Sequence, residues 1–313
     1  MPLRPITVLG ESAADAFPGG STPDGGLALR VLPGGGPANT AVALARLGTP
    51  TRFLGRISTD PFGQLFRARL AASGVDLTGC VNTAEPSTLA VATLDEQAQA
   101  TWTFYAEGTA DWQWTTDELT ATRTTETACL HTGSLALVRD PGGQRIEQHL
   151  AWVREDATVS IDPNVRPLLV PPADYRERLD QWCALADILR LSEEDDLAVL
   201  LPGASPADAC HRWHEAGARL VVVTLGERGA YASLDGHPVT VPAPPTPVVD
   251  TVGAGDSFTA GLLHRLNQLD LLGSRLDSLT QNAVADACRF AVRVAALTCS
   301  VVGANPPSAE SLR

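Results

Sequence analysis

The chain has 313 residues, 44% of them hydrophobic, enough for one large α/β domain or two smaller ones. Its formal net charge of −13 at pH 7 argues against a nucleic-acid surface and against an anionic membrane. All 23 basic residues are arginine, which excludes a Walker A loop, a protein-kinase strand lysine, a Schiff base and pyridoxal phosphate chemistry.

Ile6–Gly10 (ITVLG) reads as a short buried strand ending in glycine. Gly34–Gly36 leads into a helix over PANTAVALARLG, with Pro37 in its first turn and Gly48 at its C-cap. Arg52–Ile57 (RFLGRI) reads as a strand, and Asp60–Ser73 as a helix with Asp60 at the N-cap and Pro61 at N1. This alternation predicts an α/β fold with a mostly parallel sheet and helices on both faces. Two segments break the rhythm. Ala16–Pro33 is rich in glycine and proline and ends in strand-like LALRVL; Thr88–Leu94 and Ala100–Tyr105 alternate around DEQAQ and read as a hairpin. We expect a single domain over 1–313, with a small β lid built from inserted segments at about 12–33 and 87–110. Thr158–Asp162, Ile188–Leu191 and Arg219–Thr224 then read as strands, with helices at Asp174–Ala186 and Ala207–Gly217. The last third is helical over Ser257–Leu269 and Leu279–Leu297. No apolar run reaches the roughly 18 residues of a membrane span, and MPLRPITVLGES carries no leader pattern. The six cysteines form no C-x-x-C pair and read as reduced core thiols, which a reducing cytoplasm fits best.

The stretch DTVGAGDSFTAGLL (Asp250–Leu263) carries the most chemistry. Gly253 and Gly255 let a ligand approach the backbone, and the N-terminus of the helix that follows is an anion site needing no lysine. Asp256 is either a plain N-cap or a base. As a base it takes a proton from an incoming hydroxyl while the loop stabilises a transferred phosphoryl group. The Gly-Ala-Gly beside it favours the base. Arg166 is either a surface arginine after a strand or a cationic contact in a chain without lysine. His211 and His214 (HRWH) fit a surface helix face better than a metal pair, because no ligand set is near. Trp102, Phe104, Trp112 and Trp114 cluster around the lid, packing it or covering a ligand. The acidic runs EEDD and DATVSID read as a solvated face and a strand start.

DTVGAGDSF resembles the C-terminal signature of the ribokinase (pfkB-type) carbohydrate kinases, and GGGPANTAVALARLG (Gly34–Gly48) is similar to their N-terminal one. GESAAD (Gly10–Asp15), GRISTDPFG, SGVD, DPNVR, TLGERGA and VGANPP fall in the family's order, so the resemblance covers nearly the whole chain. It implies a three-layer α/β/α sandwich with a β lid, using ATP and Mg²⁺. Asp256 would be the base, and Gly253, Ala254 and Gly255 the anion hole. Asp15, Gly35 and Asn39 would hold the sugar, with Asn164 and Arg166 near the transferred phosphate; of the lid aromatics, Phe104 is the candidate to cover the sugar. Ser192, Thr224, Gly226 and Gly229 would line the nucleotide site. Asp195 of SEED, where many relatives have Asn-x-x-Glu, would position Mg²⁺ through water; the other reading is a helix N-cap box. Asp250, Val252 and Gly303 resemble a monovalent-cation site. Pro307 replaces a hydroxyl residue near it, which leaves potassium dependence open, and FAVRVAAL (Phe290–Leu297) lacks the asparagine many relatives have near the adenine.

WTFYAEGTADW (Trp102–Trp112), LALVRDPG, LRLSEED and ALTCSVVGANPP are similar to the fructokinase branch, which implies transfer from ATP to D-fructose giving fructose 6-phosphate. A kinase for 2-keto-3-deoxygluconate, ribose or a nucleoside stays open, although Tyr105–Glu107 offers no arginine to a keto acid. So does a non-catalytic sugar-binding regulator. A dinucleotide-dependent oxidoreductase needs G-x-G-x-x-G where this chain has GESAAD. Apolar lid faces meeting face to face would give a homodimer.

Overall fold

The computed structural model describes residues 3–94, 100–124 and 126–312. In chain order the strands are β1 (Ile6–Leu9), β2 (Ala13–Ser21), β3 (Leu27–Gly34), β4 (Thr51–Leu54), β5 (Arg56–Ser58), β6 (Val81–Thr83) and β7 (Thr88–Leu94). They continue as β8 (Ala100–Tyr105), β9 (Cys129–Gly133), β10 (Thr158–Asp162), β11 (Ile188–Ser192), β12 (Leu220–Thr224), β13 (Ala230–Leu234) and β14 (His237–Val241).

The frame is an eight-stranded sheet in the order β14-β13-β12-β11-β10-β9-β1-β4. From β12 to β4 all neighbours are parallel, and β13–β14 adds an antiparallel edge. The parallel strands read as apolar runs because both faces are covered. Alternate side chains feed two cores. Val8, Ile188 and Val222 pack with helices Gly36–Arg46, Ala254–Gln268 and Gln281–Cys299. Leu9, Leu189 and Val221 pack with helices Gly142–Val153, Pro172–Leu185 and Pro206–Glu215. This is the expected three-layer α/β/α sandwich.

Local signals act where they were read. Pro37 lies in the first turn of its helix, Gly48 has φ +90° just past its end, and Asp60 caps the next helix by accepting from Gly63 N–H at 2.8 Å. Most helix boundaries shift by one or two residues, and two differences bear on the site. RFLGRI breaks at Gly55, so that β4 joins the main sheet and β5 pairs with β6 in a separate ribbon. The last-third helix begins at Ala254 rather than Ser257, because Gly253 takes the N-cap position with φ 76°. That conformation is open to glycine and strained for other residues.

A second, four-stranded sheet, β3-β2-β7-β8, stands apart from the first. It combines two antiparallel hairpins joined by a parallel β2–β7 contact. The DEQAQ turn (95–99) lies outside the described residues. The four aromatics do not form one cluster. Trp102 and Phe104 sit on this sheet beside Phe17, with ring centroids 5.6 Å (Phe17–Trp102) and 6.4 Å (Trp102–Phe104) apart. Trp112 and Trp114 follow the sheet and are buried in the core of the main domain. Large flat surfaces at the start of a helical segment are better covered there than on a two-hairpin sheet. All six cysteines are free, four of them buried. Among the described residues no helix is long and apolar enough to cross a membrane.

Candidate active site

A parallel sheet gathers the ends of its strands along one edge, and that edge is where ligands bind. Here Glu11, Ser134, Asn164, Ser192 and Thr224, at or just past the ends of β1, β9, β10, β11 and β12, open onto one cleft of about 1050 Å³. Asp15, Gly35, Asn39, Phe104, Asn164 and Arg166 line the end next to the four-stranded sheet. Ser192, Asp195, Thr224, Gly226 and Gly229 line the other end. Val252, Gly253, Ala254, Gly255 and Asp256 lie between. Asp250 and Gly303 are off the wall but together: Asp250 accepts from Gly303 N–H at 2.8 Å and from Val252 N–H at 3.0 Å.

Asp256 is the third residue of its helix, not the cap. Its Oδ2 accepts from Nδ2 of Asn39 at 2.9 Å. The helix that supplies Asn39 starts at Gly36, where a Cβ would lie 2.8 Å from Asn164 Nδ2 and 3.2 Å from Asp256 Oδ1. Three side chains from three elements therefore converge only because residue 36 has none. Burial pushes the Asp256 carboxyl up to about 7, and neighbouring Asp162 adds to this, while Asn39, Arg166 and Arg190 oppose it. A base poised near neutrality beside a helix N-terminus suits proton removal from a hydroxyl. Asp15 is raised by burial to about 6, with Arg166 opposing.

The sequence reading missed the charged groups on the floor of the cleft. Arg190, in the middle of β11, donates from Nη1 to Asp162 Oδ2 at 2.8 Å and from Nη2 to Thr224 Oγ1 at 2.6 Å. Asp162 also accepts from Asn164 N–H at 3.1 Å, so the pair orders the DPN turn. Asp162 and Asp196 belong to the two acidic runs read as a strand start and a solvated face; they are 6% and 2% exposed. The available signal was Arg190 itself, a charge inside a short apolar strand, which has to be paired. Glu11 and Asp111 are likewise buried, raised by burial to about 7 and about 6.

At SEED the N-cap box is made one residue later than expected. Glu193–Leu197 winds as a π turn, and Ser192 Oγ accepts from the N–H groups of Asp195 and Asp196. The carboxylate that closes the box onto Ser192 N–H is that of Asp196, at 2.6 Å. Asp195 is left exposed on the cleft wall. Among the described residues no group of three or more His, Cys, Asp or Glu is placed to cage a metal. One wall carboxylate fits a Mg²⁺ ion that keeps most of its waters and phosphate ligands. His211 is exposed beside Glu215, and both ring nitrogens of His214 are within 2.8 Å of Ala218 O and Ser233 Oγ, so they form no metal pair.

A buried carboxyl raised toward neutrality, a glycine loop on a helix N-terminus and a deep cleft suit a phosphotransferase. The chain belongs to the pfkB family of carbohydrate kinases, whose model matches residues 15–311. It is 38% identical over 281 residues to a fructokinase of Rhizobium leguminosarum bv. trifolii, covering 89% of this chain and 85% of that one. It is 37% identical over 265 residues to a fructokinase of Klebsiella pneumoniae, covering 83% and 84%. Among solved structures, fructokinase with bound ATP from Xylella fastidiosa superposes with a TM-score of 0.87 at 27% identity, over 96% of this chain and 93% of that one. Fructokinase from Vibrio cholerae O395 with fructose, ADP and calcium gives 0.82 at 28% identity, over 96% and 94%.

Proposed function

We propose that this carbohydrate kinase transfers the γ-phosphoryl group of ATP to the primary hydroxyl of D-fructose, giving fructose 6-phosphate and ADP. The observation that carries the mechanism is Asp256, held by Asn39 at the helix N-terminus with Arg166 and Asp15 at the same end of the cleft. The fructose assignment is supported by the fructokinase relatives. Asp15, Gly35, Asn39 and Asn164 hold the sugar so that its hydroxyl faces Asp256, and Phe104 covers it. Asp256 takes the proton as the oxygen attacks. The N–H groups of Gly253, Ala254 and Gly255 receive the charge on the phosphoryl oxygens, with Arg166 beside them. Ser192, Thr224, Gly226 and Gly229 hold the nucleotide. Asp195 would hold Mg²⁺ through water, and the ion would offset phosphate charge. Asp250, Val252 and Gly303 form the monovalent-cation site.

The four-stranded sheet acts as the lid of a single-domain kinase, and its closure excludes water, a competing nucleophile. Leu27, Leu29 and Tyr105 on that sheet are exposed, which supports a homodimer built through the lids. A clean monomer at micromolar concentration by light scattering refutes the dimer. The free cysteines support a cytoplasmic location. The kinase reading is tested by ADP release with Mg-ATP against fructose, ribose, 2-keto-3-deoxygluconate, adenosine and cytidine, with and without potassium. Turnover confined to fructose is expected. Turnover on another acceptor keeps the mechanism and discards fructose; tight sugar binding without turnover points to a regulator.

A further inference from the structure

We propose that Arg190 is a positioning residue for phosphoryl transfer: a fixed positive charge clamped beneath Gly255 that keeps the anion loop seated and faces the Asp256 base. The inference rests on the kinase reading above. Arg190 is the single charged residue of β11, whose other members are Ile188, Leu189, Leu191 and Ser192. Its side chain is almost wholly enclosed. Asp162 on one neighbouring strand and Thr224 on the other hold the two ends of the guanidinium at 2.8 and 2.6 Å. Lysine cannot replace that fork, because a single ammonium has no plane to span both partners.

The third contact is with the loop. A Cβ on Gly255 would lie 2.9 Å from Nη1, 3.0 Å from Nη2 and 3.2 Å from Cζ of Arg190. The guanidinium end therefore occupies the space that a side chain at residue 255 would need. The Phe258 ring, one helical turn on, is 5.9 Å from Cζ. Gly255 sits inside the helix with an ordinary backbone, unlike Gly253. Its identity therefore answers to Arg190 and not to conformation. Among the described residues, Nε of Arg190 is buried without a hydrogen-bond partner, so the guanidinium is not fully satisfied. The charged groups facing Arg190 are Asp162, Asp196 and Asp256. Those facing Asp256 are Asp162, Arg166 and Arg190. Buried His131 on β9 also neighbours the pair and is kept neutral by burial.

Opposite charges below one base predict opposite shifts. The acidic limb of kcat/KM for the sugar is measured in the wild-type protein, in Arg190→Met, in Asp162→Asn and in the double variant. Arg190→Met moves the limb up by about one pH unit, and Asp162→Asn moves it down by a similar amount. The double variant returns toward wild type, and Arg190→Lys restores the limb while turnover stays reduced. A purely structural role predicts lost activity with an unmoved limb, or shifts of one sign in both variants, and either overturns the proposal. Where Arg190→Met fails to fold by circular dichroism, Arg190→Lys decides: reduced turnover with an unmoved limb is expected, and full wild-type turnover overturns the proposal. A wild-type protein that turns over no sugar overturns the kinase reading; wild-type turnover with an unmoved limb overturns only the part given to Arg190.

Discussion

Replacing Asp256 by asparagine separates what this carboxyl does for catalysis from what it costs the fold. The group is held at about 7 by burial against an ordinary 3.8 in the unfolded chain. Between these values the folded protein binds a proton that the unfolded chain has released, so stability falls as pH rises through the interval. The asparagine variant carries no such penalty and keeps an acceptor for Asn39. The variant is therefore more stable than wild type, by about 2 kcal/mol at pH 5 and about 4 kcal/mol at pH 8 as upper values, by linkage. Urea unfolding at the two pH values measures the difference. The activity result runs the other way. Loss of the base reduces kcat by about 10² to 10⁴. In the wild-type protein kcat/KM rises through about pH 7 as Asp256 ionises, and at pH 6 it is about tenfold below its plateau. A gain in stability that does not grow with pH refutes the burial argument. Wild-type turnover in the variant refutes the assignment of the base.

Four further outcomes follow from the structure. Asp15→Ala raises KM for the sugar about tenfold or more with a smaller change in kcat, in steady-state assays at pH 8. In the wild-type protein that KM rises as pH falls through about 6, because Asp15 loses its charge there. Asn39→Ala removes the bond that favours ionised Asp256, so the acidic limb of kcat/KM moves upward and the fold loses about 1 kcal/mol in urea titration. Trp114→Ala empties a fully buried position of the main core and costs about 3–5 kcal/mol.

Local physics was legible in the sequence. Strand and helix alternation, Pro37 and Asp60 at helix starts and the Thr88–Tyr105 hairpin each depend on residues close in the chain. Asp256, Asn39, Asp15 and Arg166 stand in motifs of recognisable order, and the fold brings all four to one cleft. What escaped was pairing between elements. Asp196 rather than Asp195 closes the Ser192 cap because the turn is wound as π, and no spacing in EEDD distinguishes that winding from an α turn. Trp112 and Trp114 look like lid residues by proximity, but burial in the main domain decides their place.

Arg190 shows what a sequence can state and what only a fold can answer. An arginine in ILRLS demands a buried counter-charge. Candidate carboxylates lay on every side, and the correct one, Asp162, is 28 residues away on the adjacent parallel strand. The β10–β11 register brings it there, and β12 brings Thr224 from the other side. Once the pair is formed, the guanidinium occupies the space that a side chain at residue 255 would need. The glycine in GAGD is thus explained from below the loop as well as from the ligand side. A Gly255→Ala chain has either to displace Arg190 or to lift the loop, and both move the charge that faces Asp256.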